Sequence, residues 1–153
     1  MSLYRTDDAR PLGNGFRTGL ECVTDTNISR TVANYKRGVA SSYLSLSIDE
    51  LPQHLPPGPC LVSPKIDGQL WYLVIDSGDA FLVNPRGRVL YGAIPVLDEA
   101  RKNVVPRAKG RTILAGELWA VPESGRVRSA GLASAMSGEA DAFVKHIAFT
   151  VFD

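Results

Sequence analysis

Six consecutive apolar residues, Leu70-Trp71-Tyr72-Leu73-Val74-Ile75, constrain the fold more than any other stretch of this chain. A strand with one wet face alternates apolar and polar side chains, whereas a strand apolar on both faces must be covered on both. The run is therefore expected to be a central strand. Ser77-Gly78-Asp79 follows as a hairpin turn, and Ala80-Phe81-Leu82-Val83 reads as the returning strand. Just before the run lies a short polar break, Lys65-Ile66-Asp67-Gly68, with Pro64 ahead of it and an earlier apolar run, Cys60-Leu61-Val62, beyond. A strand on either side is expected to carry the Lys65 amine into a sheet-lined cleft. A desolvated amine loses part of its proton affinity and can act as a nucleophile.

Further elements follow from periodicity. Thr112–Val121 and His146–Phe152 read as strands. Over 94–104, Ile94, Leu97, Ala100 and Val104 recur at helical spacing, with Pro95 suited to a first turn. Arg126 to Met136 reads as a small-residue helix weakened by Gly131. Ser47-Ile48-Asp49-Glu50 fits a capping box opening a short helical turn that Pro52 limits, and Leu55–Pro59 reads as a stiff linker. Residues 1–46 are expected to be an irregular N-terminal segment, and residues 47–153 to hold the structured part. Antiparallel sheets with flanking helices make the expected fold class α+β.

Composition narrows the function. With 153 residues and 44% hydrophobic content the chain can bury one core. No run approaches the roughly 18 apolar residues of a membrane span, so no membrane partner is expected. The start, Met1-Ser2-Leu3-Tyr4-Arg5, lacks a signal-peptide core. Cys22 and Cys60 come without metal-ligand spacing and read as reduced, packed thiols, which suits a cytoplasmic location. A net charge of +1 argues against nucleic-acid binding through the whole surface. Arg101, Lys102, Arg107, Lys109 and Arg111 nevertheless share an acid-free segment, either a solvated loop or a local phosphate-tracking patch. Gly13-Asn14-Gly15 is not a phosphate loop, and His54 and His146 leave few bases for a serine hydrolase.

Four segments carry candidate chemistry: Lys65-Ile66-Asp67-Gly68, Asn84-Pro85-Arg86-Gly87, Ile113-Leu114-Ala115-Gly116-Glu117-Leu118 and Phe149-Thr150-Val151-Phe152-Asp153. Each sets a polar or aromatic residue at the edge or middle of an apolar strand. Read singly, Lys65 is a turn lysine, Asp67 a turn former, Arg86 a hairpin-end charge, Glu117 half of a salt bridge and Phe152 core packing. A carboxylate within a strand such as that of Glu117 costs several kcal/mol unless partnered.

In order and spacing the four segments resemble the covalent nucleotidyltransferase superfamily, most of all the adenylation domain of ATP-dependent DNA ligases. The resemblance covers roughly residues 47–153 and implies a partial nucleotidyltransferase fold, an ATP-grasp-like ligase adenylation domain. It implies that Lys65 attacks the α-phosphate of ATP to form lysyl-AMP, that AMP then passes to a 5′-phosphate end, and that nicked or broken DNA is joined, as in DNA repair. It implies that Asp67 and Gly68 shape the nucleotide loop, Arg86 contacts phosphate or ribose, Glu117 contacts a ribose hydroxyl or Mg2+ (directly or through water), and Phe152 stacks on adenine. ATP and Mg2+ are the implied substrate and cofactor.

The pattern departs from the family at two positions: Leu70 stands where many DNA ligases carry Arg, and Ala115 where an Asp is common. The family's later Glu-Gly and Lys-x-Lys segments and its oligonucleotide-binding barrel do not follow Asp153. The chain is therefore expected to be a fragment deficient in adenylation by itself. An RNA ligase, an mRNA-capping nucleotidyltransferase and a non-catalytic nucleotide- or nucleic-acid-binding module stand as alternatives.

Overall fold

Tight turns and strand pairing bring the apolar runs side by side. The computed structural model describes residues 2–60, 62, 64–121, 129–137 and 144–153. Among them seven strands are formed: β1 (Arg10–Leu12), β2 (Asn14–Arg17), β3 (Gln69–Asp76), β4 (Asp79–Val83), β5 (Val89–Ala93), β6 (Thr112–Ala120) and β7 (Ile147–Val151). They make one antiparallel sheet in the order β1-β2-β5-β4-β3-β6-β7. The helices are α1 (Thr26–Gly38), α2 (Leu51–His54), α3 (Pro95–Asn103) and α4 (Ser129–Ser137). The α+β class is met, with one correction: the described strands form a single sheet, not several.

β3 is interior, as its apolar run requires. Trp71, Leu73 and Ile75 face one side, where Leu97 and Ala100 of α3 and Leu132, Ala135 and Met136 of α4 cover them. Tyr72 and Val74 face the other, under Ile28 and Val32 of α1. The β3–β4 connection is a two-residue turn between Asp76 and Asp79, with Ser77 and Gly78 both at positive φ (52° and 82°), the geometry that matches strand twist. Ser47 and Glu50 form the expected capping box. The predicted start of the small-residue helix, Arg126 to Arg128, lies outside the described residues.

The N-terminal expectation is overturned. Within residues 2–46 the segment is not irregular throughout: β1 and β2 extend the sheet through β5, and α1 closes one face. Helix α1 has a real start signal, since the Asp25 side chain accepts from the Ile28 N–H at 2.9 Å. The Asp25 carboxylate and that of Asp76 are both bound by Arg111, at 2.8 and 3.0 Å, which ties the helix to the end of β3. Pairing with β5, rather than local periodicity, makes this segment regular.

Three further readings change. At its two described residues the run before Lys65 forms no strand: Cys60 is exposed, Val62 is 91% exposed, and neither lies in a strand, while Leu61 lies outside the described residues. Cys60 is therefore not a packed thiol, whereas Cys22 is buried. The basic segment is partly spent on internal pairs. Arg101 binds Asp79 and Asp98 and donates to the carbonyls of Gly92 and Ala80, and Arg111 is held as above. Two of the five cations are thus withdrawn from any phosphate patch there. No helix among the described residues is long and apolar enough to cross a membrane.

Candidate functional site

The start of β3 and the end of β6 meet at one end of the sheet. In register Leu70 opposes Glu117, and Glu117 opposes Thr150 on β7. The Gly68 N–H donates to Glu117 Oε1 at 3.2 Å, joining the Lys65-Ile66-Asp67-Gly68 segment to the strand glutamate. Glycine is required there: a Cβ on Gly68 would lie 2.4 Å from the Leu118 carbonyl oxygen and 2.9 Å from Glu117 Cγ. The polar break is thus seated directly on β6.

Glu117 is half-buried, and burial is the main reason its carboxyl is held above the ordinary carboxylate range. The Gly68 hydrogen bond and the Lys65 charge pull it back down, and the Asp67 charge pushes it up. Lys65, Asp67, Gly68 and Glu117 are therefore brought together. Alongside them Trp119 Nε1–H donates to Thr150 Oγ1 at 3.0 Å, a contact that the sequence did not signal.

Lys65 itself corrects the cleft expectation. It is exposed, in an irregular segment that, among the described residues, has a strand on its C-terminal side only. Sheet pairing begins at Gln69, so neighbouring strands do not wall in the amine.

Arg86 lies in the β4–β5 turn, which opens at the same end of the sheet because β4 runs antiparallel to β3. The turn is organised by Asn84, whose Oδ1 accepts from the backbone N–H groups of Arg86 and Arg88, both at 2.9 Å. The Arg86 carbonyl accepts from Glu21 N–H at 2.9 Å. Its exposed side chain borders a cavity of about 370 Å³ that Val32 of α1, Glu21 and Asn84 also line. The structure records no contact from Arg86 to Lys65 or Glu117.

Phe152 follows β7, where the pairing changes. The N–H groups of Phe152 and Asp153 both point to the Ala115 carbonyl, at 3.0 and 3.3 Å, and Ala115 N–H donates to the Asp153 carbonyl at 2.7 Å. Two residues thus oppose one in a β-bulge, a device that re-aims a side chain at a strand end. Phe152 is 47% exposed, not core packing, and stands beyond Thr150 on the strand that flanks Glu117. Strand-to-strand fit here depends on Gly116, where a Cβ would lie 2.5 Å from the Phe149 ring.

Among the described residues no group of three or more His, Cys, Asp and Glu side chains is placed to hold a metal ion. Asp67 and Glu117 are the two carboxylates grouped with Lys65. No family model, curated protein or solved structure matches the chain.

Proposed function

We propose that this chain is a nucleotidyltransferase of the ligase adenylation type, forming a covalent lysyl-AMP at Lys65 and passing the AMP to the 5′-phosphate of a broken DNA strand. The observation that carries the reading is the Gly68–Glu117 hydrogen bond. It joins two of the four segments, 49 residues apart, into one cluster with Lys65 and Asp67. The Arg86 turn and Phe152 support it by lying at the same end of the sheet and on the adjoining strand.

In the proposed step the exposed Lys65 ammonium first gives up its proton to solvent water. Its nitrogen then bonds to the α-phosphorus as the bond to the pyrophosphate oxygen breaks. Glu117, near the Lys65 charge, favours the amine's approach and offers an acceptor to a ribose hydroxyl. Arg86 supplies a planar two-donor fork for phosphate oxygens, and Phe152 an exposed ring for the purine. Two carboxylates suit a magnesium ion held chiefly by phosphates and water, with Asp67 and Glu117 beside it, whose chemistry would be to neutralise phosphate charge.

The test is intact mass after incubation with ATP and magnesium. The expected result is addition of one AMP, absent in Lys65→Ala. Equal labelling of the Lys65→Ala protein sinks the assignment. Replacing ATP with GTP, and nicked DNA with RNA, separates the ligase reading from RNA-ligase and capping chemistry. The exposure of Lys65 favours a second reading, a non-catalytic nucleotide-binding module. ATP binding by calorimetry with no adduct would establish that one instead.

A further inference from the structure

Arg10 on β1, Arg17 on β2 and Arg88, the residue just before β5, gather at one end of three neighbouring strands. Arg10 opposes Arg17 across β1 and β2, Arg17 opposes Leu90 on β5, and Arg88 precedes Leu90 by two residues. Side chains alternate along a strand, so all three share the face of Leu90, the one that α3 and α4 cover. Phe16 and Tyr91, one residue along, stack on the opposite face, which confirms the alternation.

This arrangement is costly as it stands. Arg17 and Arg88 are half-buried, and among the described residues none of the three arginines makes an ion pair. Arg88 Nε is fully buried with no hydrogen-bond partner among the described residues. Asp8, on the segment leading into β1, is occupied by the Gly19 N–H and the Cys22 thiol, and the cation it feels is Arg5. Burial first, then the charges of Arg88 and Arg10, hold the Arg17 guanidinium below its ordinary proton affinity. Like charges held together and half-desolvated, with a donor left over, are the complement of an anion.

We propose that Arg10, Arg17 and Arg88 form a phosphate-binding site. Antiparallel alternation places it at the sheet end where β3 begins and β6 finishes, hence at the same end as Lys65 and Glu117 but on the other face. The forks of these guanidinium groups suit phosphate oxygens, whether of a phosphodiester strand or of a free phosphate ion. The site does not rest on the adenylation reading, and Lys65→Ala should leave it intact.

Two measurements on the full chain test it. The first is the thermal midpoint with and without inorganic phosphate. The second is fluorescence anisotropy of a labelled single-stranded oligonucleotide across a salt series. Phosphate should raise the midpoint of the parent protein, and Arg17→Gln or Arg88→Gln should abolish that rise. With the oligonucleotide, each substitution should weaken binding several-fold and reduce the salt slope by about 1. Arg10→Gln, at an exposed position, gives the same readout should Arg88→Gln fail to fold. A response to the strand alone identifies a phosphodiester site, and a response to phosphate alone a free-phosphate site; both support the proposal. No response to either ligand, or variants that respond like the parent, overturns it.

Discussion

The Gly68 N–H donates to Glu117 Oε1 at 3.2 Å, and a side chain at position 68 would collide with the carbonyl oxygen of Leu118 at 2.4 Å. Gly68→Ala is therefore expected to push the start of β3 off β6. The overlap is with backbone, which cannot swing aside, so the cost should be about 1–3 kcal/mol. Urea unfolding measures it; a midpoint equal to the parent's would show that the two segments are not in this contact.

Glu117 makes stability depend on pH in an unusual direction. Its folded carboxyl holds its proton above the ordinary value of 4.5, chiefly through burial. The folded state then binds more protons than the unfolded one, so this residue's contribution falls as pH rises through 4.5 and above. Glu117→Gln keeps an acceptor for Gly68 and removes the titration. The stability of the parent relative to Glu117→Gln should decline as pH rises above about 4.5. Because the Lys65 charge favours the carboxylate, Lys65→Ala should move the Glu117 titration, followed by NMR, further upward.

Gly116 controls the last strand. A Cβ there would sit 2.5 Å from both the Phe149 ring and the Thr150 carbonyl oxygen. Gly116→Ala should lever β7 away and undo the bulge at Phe152. Hydrogen exchange should show lost protection at the Ala115 and Phe152 amides, whose bonds span that pairing; retained protection would contradict the packing.

Asp25 caps α1, and its carboxyl is held below the ordinary range first by the Ile28 N–H and, against some desolvation, by Arg111. Asp25→Ala should cost about 1 kcal/mol as a lost N-cap. That contribution is present above the unfolded carboxylate pKa and is lost as pH falls through the depressed folded value. The gap between parent and variant in chemical unfolding should therefore close on acidification below about pH 4.

Tyr72 lies buried beneath α1, and its hydroxyl donates to the Val32 carbonyl at 3.2 Å. Burial, then the nearby Tyr43, push its phenol up to about 12. Tyr72→Phe should cost about 1 kcal/mol and remove one late-titrating tyrosine from an ultraviolet titration. Because the folded value is raised above 10.0, the parent should lose more stability than Tyr72→Phe as pH climbs from there toward about 12, over the loss that the raised phenols of Tyr4, Tyr35 and Tyr91 give both proteins.

Local chemistry determined much of this molecule. The doubly apolar run at Leu70–Ile75 specified an interior strand, Ser77-Gly78 a tight hairpin, and Ile94–Val104 a helix, because period, turn residues and caps act within a few positions. Partnership across the chain was decided only by the tertiary structure. Arg10–Leu12 and Asn14–Arg17 have no strand-like period, yet β5 supplies the hydrogen bonds that make them strands. Cys60-Leu61-Val62 looked apolar enough for a strand, but Cys60 and Val62 meet no neighbouring strand and lie exposed. The same division holds at the candidate site. The residue types of Lys65, Asp67, Gly68 and Glu117 were legible, since their order and spacing stand in the sequence. The seating of Gly68 on Glu117, the exposure of Lys65 and the bulge that turns Phe152 outward all depend on strand register, which no short window of residues encodes.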